Sequence, residues 1–201
     1  MRRLLVCAAL LALVSVAGAT GMPGTLLGQV REAFASKPAD APESQAVEVG
    51  FSPDGAAESL VLKVIRSAKS SIRLAGYTFT SPVIARALTD AKRRGVDVAV
   101  VVDYRNNIEE SRSNAPRQAL NLLVNAGIPT RTVSVYPIHH DKYVVVDGRH
   151  VEMGSFNFTA AAAKRNSENV LVLWNNPALA GQYIAHWQSR WEQGKPYQST
   201  Y

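Results

Sequence analysis

The sequence predicts an α/β fold, a mixed, largely parallel sheet flanked by helices on both faces. Three observations predict it. Apolar strands alternate with amphipathic helices through the first half of the folded region. An Asp-Gly turn then joins two short strands, Lys142 to Val146 and His150 to Gly154. A last helix carries Ala180, Tyr183, Ile184, Trp187 and Trp191 on one face, an apolar stripe that needs a sheet to cover.

The elements follow in order. Met1-Arg2-Arg3 is positive, Leu4 to Val16 is an apolar run, and Ala17-Gly18-Ala19 has the small-x-small form of a cleavage site. The run is too short to span a bilayer comfortably. Residues 1–19 therefore read as a Sec-type bacterial signal peptide. The expected location is periplasmic or secreted, with no stable membrane insertion after the signal is removed. Residues 20–46 are rich in Ala, Gly, Pro and Ser and read as a flexible linker with room for a short helix around residues 26–34. The folded domain is expected over residues 47–201.

Val47 to Phe51 alternates as a strand. Leu60, Val61, Val64, Ile65 and Ala68 form one helical face, with Lys63, Arg66 and Lys69 outside it. Ser71 to Phe79 is a strand. Ser81-Pro82 starts a helix whose Val83, Ile84, Ala87, Leu88 and Ala91 share a face, and Gly95 stops it. Lys92-Arg93-Arg94 closes that helix, where cations suit the dipole. Val96 to Tyr104 is an apolar strand. A polar loop from Arg105 to Asn114 leads to a helix near Pro116 to Asn125, and Gly127 to Val133 begins the next strand. After the Asp-Gly hairpin come a small alanine-rich segment, a strand over Glu168 to Trp174, and the last helix from Asn176-Pro177.

Composition narrows the function classes. The 201 residues are 47% hydrophobic and 19% charged, as a globular domain with a sizeable core would be. A formal net charge of +6 attracts polyanions such as nucleic acid or acidic membrane surfaces. Loss of residues 1–19 removes Arg2 and Arg3, so Lys+Arg falls from 22 to 20 against 16 acids, about +4. Cys7 is the only cysteine, so the mature chain has no disulfide, no thiolate chemistry and no cysteine-based zinc site.

The chemistry concentrates in HHDKYVVVDGRHVEMGSFNFT, His139 to Thr159. Strand alternation puts His140 and Lys142 on one face and His139 on the other. Asp147 falls in the turn. Ser155 and Asn157 share a face just past Gly154, and a hairpin can bring the two pairs together. One imidazole with an ammonium, a hydroxyl and an amide is a poor metal cage, so no metal and no cofactor are expected. The same set suits a phosphate. Lys142 and Asn157 can donate to non-bridging oxygens, and His140 can attack phosphorus or transfer a proton. Gly154 would let backbone approach a bulky phosphodiester.

The spacing His140-x-Lys142-x4-Asp147, followed by Gly154-Ser155-x-Asn157, resembles the HKD signature of the phospholipase D superfamily. GFSPDG, SIRLAGYTFTSP, AKRRGVDVAVVVD, NSENVLVLWN and HWQSRWEQG extend the likeness to the small exported bacterial endonucleases of that superfamily, the Nuc type. The resemblance implies a phospholipase D-like fold with a single HKD motif per chain. It implies that His140 is the nucleophile, forming a phosphohistidine, that Lys142 and Asn157 bind phosphate oxygens, and that Ser155 supports them. Glu168 matches an acidic residue that orients the histidine, a role that also suits an imidazole acting near neutral pH. Asp147 completes the motif from a turn, where a structural role is expected. The large relatives carry two motifs in one chain. With one motif, the resemblance implies a homodimer whose two His140 residues face each other in a composite site.

The other candidates read more plainly. His139, His150 and His186 are expected to be structural, and Trp187 and Trp191 to be core. Tyr104 and Arg105 follow the carboxyl end of a strand and are weaker substrate-binding candidates; Arg112 and Arg117 are weaker still. The leading expectation is a metal-independent, sequence-nonspecific endonuclease acting on DNA, with RNA as a further candidate. The rivals are a phospholipase D acting on phospholipid headgroups and a non-catalytic nucleic-acid-binding protein.

Overall fold

The computed structural model describes residues 43–199. The expected signal peptide and short helix near residues 26–34, and the expected linker up to residue 42, lie outside the described residues. In chain order the elements are β1 (Ala46–Ser52), α1 (Ala56–Ser67), β2 (Ser71–Gly76), α2 (Pro82–Arg93), β3 (Asp97–Asp103), a π-helical turn (Arg105–Glu109), α3 (Ala115–Asn125) and β4 (Thr130–Val133). Then follow β5 (Lys142–Val146), β6 (His150–Gly154), α4 (Ala160–Lys164), β7 (Glu168–Trp174), α5 (Pro177–Gln193) and β8 (Lys195–Pro196).

All eight strands join one sheet in the order β1-β7-β6-β5-β2-β3-β4-β8. The mixed sheet with helices on both faces is as expected, but its proportions differ from "largely parallel". Among these strands, parallel pairing is confined to β2 with β3 and β3 with β4. The other five pairings are antiparallel. The cause is the hairpin half of the chain. Asp147 and Gly148 both take positive φ, 53° and 62°, as a tight type I′ turn requires, so β6 must return beside β5. β7 returns beside β6, and β1 closes the edge against β7.

Local chemistry sets the element ends. The Ser81 hydroxyl accepts from the Ile84 N–H at the start of α2, with Pro82 at the first turn. Asn176 does the same for α5 through the Leu179 N–H. On one face of the sheet, α1, α2 and α3 bury Leu60, Val64, Leu88 and Leu120 against Leu74, Val100, Val144 and Val172. On the other, α5 lays Ala180 and Trp187, with Tyr183, Ile184 and Trp191, over Ala75, Val101, Tyr143 and Val145. Trp187 Nε1 donates to the Leu74 carbonyl at 2.9 Å, fixing α5 on the sheet.

β1 is amphipathic in an unexpected sense. Its Glu48 pairs with Lys63 of α1 at 2.6 Å. Val47, Val49 and Phe51 therefore face away from α1 and stay exposed, at 58%, 53% and 57%. They stand opposite Leu173, Leu171 and Asn169 of β7.

Candidate active site

Several strand ends converge at one end of the sheet. β2 and β3 finish there, β5 begins there with Lys142 opposite Gly76, and β6 ends there with Gly154 opposite Val170. They border a cavity of about 740 Å³ lined by His140, Lys142, Gly154 and Asn169, with Tyr183 and His186 supplied by α5.

His140 lies in the segment entering β5 and is exposed. Its ring meets Tyr77 edge-on, with centroids 4.6 Å apart. Lys142 Nζ donates to the His140 carbonyl at 2.9 Å and stands 5.2 Å from the Tyr77 ring centroid. Tyr77, at the end of β2, thus braces both members of the H-x-K pair. Partial burial holds the Lys142 pKa below the usual lysine range, while Asp141 and Glu168 act in the opposite direction. A partly desolvated ammonium attracts a phosphate oxygen more strongly than a fully hydrated one.

His139 turns inward and is 2% exposed. Its backbone N–H donates to Asp103 Oδ2 at 2.8 Å, and Asp103 Oδ1 accepts from the Asn106 N–H at 2.6 Å. A buried carboxylate at the end of β3 therefore anchors the residue immediately before His140. Burial lowers the His139 pKa. Its Nδ1 lies 3.2 Å from Asp141 Oδ2 without the alignment of a hydrogen bond, so a close contact rather than an ion pair describes it.

Ser155 is the centre of a second network. Its hydroxyl donates to Glu168 Oε2 at 2.5 Å and accepts from the Asn169 backbone N–H at 3.1 Å. Asn166 Nδ2 donates to Glu168 Oε1 at 2.9 Å. The oxygens of Glu168 are engaged by Ser155 and Asn166, and no hydrogen bond joins Glu168 to His140. Glu168 is in phase with the buried Val170 and Val172, as Lys142 is with Val144 and Val146, so the two share a face of the sheet, and the Glu168 charge acts on Lys142. Asn157 is half-buried, and its Oδ1 has no hydrogen-bond partner among the described residues.

Gly154 is required by the sheet and not by an approaching substrate. A Cβ there would collide with the Asn169 carbonyl oxygen of β7. Asp147 sits at the far end of the hairpin from the cavity. It accepts from the N–H groups of Lys69, Ser70 and Ser71 at 2.9, 2.8 and 2.9 Å and from the Ser70 hydroxyl at 2.9 Å. Burial alone would raise its pKa, but these bonds bring it below the ordinary value. It clamps the entry of β2 to the β5–β6 turn.

Ser155 and Glu168, which adjoin the lining residues Gly154 and Asn169, are absent from the cavity lining, as are Asn157 and the weaker candidates Tyr104 and Arg105. Arg105 is turned back on its own loop, 2.8 Å from Glu110 and 3.6 Å from Glu109, because the π-helical turn places those acids beside it. His186 departs the other way. Expected to be structural, it stands in the cavity wall, with Nδ1 2.9 Å from the Tyr143 hydroxyl and Nε2 4.0 Å from Asp141 Oδ2. His150 is buried, and its Nδ1 accepts from the Asn175 N–H at 3.1 Å. Among the described residues no three His, Cys, Asp or Glu side chains converge as a metal site, and no helix is long and apolar enough to cross a membrane.

Residues 61–191 match the family model described as cardiolipin synthase, PLD-like domain. A relative named phospholipase D from Rickettsia bellii is 37% identical over 144 residues, which cover 72% of this chain and 68% of the relative. The human mitochondrial cardiolipin hydrolase is 31% identical over 143 residues, covering 71% of this chain and 54% of that protein. Among solved structures, the phospholipase D family member Nuc from Salmonella typhimurium is 52% identical with a TM-score of 0.75, covering 78% of this chain and all 100% of that one. NucT from Helicobacter pylori shares the fold at 21% identity and a TM-score of 0.63, covering 77% of this chain and 100% of its own. With one H-x-K pair at the mouth of a cavity, a G-S-x-N return strand beside it, and a family model spanning most of the folded residues, the chain belongs to the phospholipase D superfamily and is a phosphodiesterase.

Proposed function

We propose that the chain is a metal-independent, sequence-nonspecific endonuclease that hydrolyses nucleic-acid phosphodiester bonds through a phosphohistidine at a site shared by two subunits. The observation that carries this reading is the exposed His140 held beside a partly buried Lys142 at the cavity mouth, once per chain. An imidazole nitrogen of His140 attacks phosphorus, and the P–O bond to the leaving nucleoside oxygen breaks as that oxygen takes a proton from the His140 of a second copy. Water then attacks the phosphohistidine, giving its proton back to the second imidazole and releasing the phosphate end. Lys142 and Asn157 hold the non-bridging oxygens and offset their charge, which supplies the electrostatic work without a metal ion.

The exposed row of Val47, Val49 and Phe51 supports the second copy, since it lies across from Leu171, which lines the cavity. An apolar face beside a half-built site suits a two-fold contact that completes it. The net charge of +6 supports a polyanionic substrate, DNA first and RNA also, and the likeness to the Nuc structure agrees with it. Residues 1–19 support export to the periplasm or beyond.

A second reading, hydrolysis of a phospholipid headgroup, has its support in the relatives named phospholipase D and mitochondrial cardiolipin hydrolase. One assay separates the two. Plasmid DNA and phosphatidylcholine vesicles are offered separately, with and without EDTA. The nuclease reading expects nicked plasmid in EDTA and intact lipid. Cleavage that EDTA abolishes and Mg²⁺ restores, or choline release with intact plasmid, overturns it. For the shared site, a purified mixed dimer of wild-type and His140→Ala chains is expected to be nearly inactive. About half of wild-type turnover would mean two independent sites.

A further inference from the structure

We infer a second polyanion-binding site, specific for the nucleic-acid backbone, in the cleft between α1 and α2. The inference rests on the nuclease reading for its substrate class, but its residues are separate from the active site. The cleft has a volume of about 530 Å³ and is lined by Arg66, Val83, Arg86, Ala87, Asp90 and Arg94. Arg86, Asp90 and Arg94 recur every four residues and so share one face of α2 and its C-terminal cap. Arg66 is in the last turn of α1, and Arg94 Nη2 donates to its carbonyl at 3.3 Å, tying the two helix ends together.

The charge in this cleft is uncompensated. Asp90, its one acid, is already bound to Arg93 at 2.7 Å. Arg66, Arg86 and Arg94 have no carboxylate partner among the described residues. Four other arginines are occupied, Arg73 by Asp97, Arg105 by Glu110, Arg117 by the Ile108 carbonyl and Arg131 by the Trp191 carbonyl, and Arg112, Arg149 and Arg165, unpaired among the described residues, do not line this cleft. A helix dipole accounts for a cation at the last turn but not for Arg86 in the middle of α2. Eight residues separate Arg86 from Arg94, a rise of about 12 Å, which matches three to four phosphates of one strand at about 3.4 Å each. A concave lining with a single exposed aliphatic residue, Val83, suits a strand backbone better than a flat lipid surface.

The cleft is also remote from His140. Arg94 leads into the start of β3, and the active site lies beyond the end of that strand. Seven extended residues span about 23 Å. A strand touching both places must therefore be on the order of ten nucleotides long. The cleft would favour long substrates over short ones and hold a cut strand for the next cut.

The test compares the wild type with an Arg86→Gln/Arg94→Gln double variant, using a 40-nucleotide strand, a 6-nucleotide strand and bis(p-nitrophenyl) phosphate. An Arg149→Gln/Lys195→Gln variant, which loses the same charge elsewhere, is the control. The expected result is a KM about tenfold higher for the 40-mer in the cleft variant only, a salt-dependence slope smaller by about 1.4, and unchanged turnover of the two small substrates. Equal KM values, or an equal loss in the control, overturn the cleft. Should the wild type cleave bis(p-nitrophenyl) phosphate but no nucleic acid, the nuclease reading fails by itself. Anisotropy of a labelled 40-mer then decides the cleft: weaker binding in the cleft variant alone upholds it, and equal binding overturns it. Cleft-dependent binding to phosphatidylglycerol vesicles without binding to the 40-mer also overturns it.

Discussion

Replacing Glu152 by glutamine should change how stability depends on pH. Glu152 lies in the middle of β6, between Val144 and Val172 in register, and is 1% exposed. Its Oε2 has no hydrogen-bond partner. Burial raises its pKa from 4.5 to about 8, with a hydrogen bond from the Val144 backbone acting weakly the other way. In the unfolded chain the carboxyl ionises near 4.5, so above that pH the folded state binds the extra proton. Stability is thus fully present below pH 4.5 and is lost as pH rises through about 8, beyond which both states are ionised. The shift of 8 − 4.5 = 3.5 pH units corresponds to about 5 kcal/mol in total, at about 1.4 kcal/mol per unit within the window. Glu152→Gln cannot ionise and keeps the shape. Urea unfolding of both proteins from pH 5 to 9 therefore should show the wild type losing ground steadily against the variant up to about pH 8 and levelling beyond it. Other groups titrate equally in both and cancel in the difference. A difference that stays constant across that range would refute the claim that Glu152 is buried as the neutral acid.

Asp147→Asn should act at the opposite end of the scale. Its folded pKa lies below 3.8, so the carboxylate's contribution is present above that pH and fades as pH falls through the folded value. The variant should lose about 1–3 kcal/mol at pH 7 and converge with the wild type in acid, as followed by urea unfolding. Gly154→Ala should push β7 off β6 through the Asn169 carbonyl, displacing Glu168 and Asn169. A loss of about 1–3 kcal/mol together with most of the turnover is expected, and a fully active, equally stable variant would contradict it. Asp103→Ala should free the His139 and Asn106 backbone amides, costing about 2 kcal/mol or more. Its kcat on bis(p-nitrophenyl) phosphate should fall by about tenfold or more if His140 is positioned from β3.

The parts of the fold legible from sequence were those decided locally. Asp147-Gly148 announces its turn because few residues tolerate positive φ at two successive positions. The stripe on α5 announces a covered sheet face, and the structure covers it. The order of strands was less legible. Nothing within Val47 to Phe51 states that this strand pairs with β7 or that its apolar side faces outward; the Glu48–Lys63 pair decides that from a distance. The site divides in the same way. His140 and Lys142 are two residues apart in sequence and declare themselves by spacing. Tyr77, Asp103 and His186 reach the site only through tertiary packing, from β2, β3 and α5. Glu168 is in phase with Val170, Val172 and Trp174, and Lys142 with Val144 and Val146, so alternation alone sets both on one face of the sheet, while the partners of Glu168, Ser155 and Asn166, are decided by packing.

The pairing of β1 with β7 also has a temporal consequence. It joins Ala46 to Trp174, so the first strand packs early on α1 but has no strand to pair with until β7 has been made. Closure of so long a loop is slow, and the assembly that depends on it must come late. Strands β2 to β6 pair without it, so the first strand to be made is among the last to find its place.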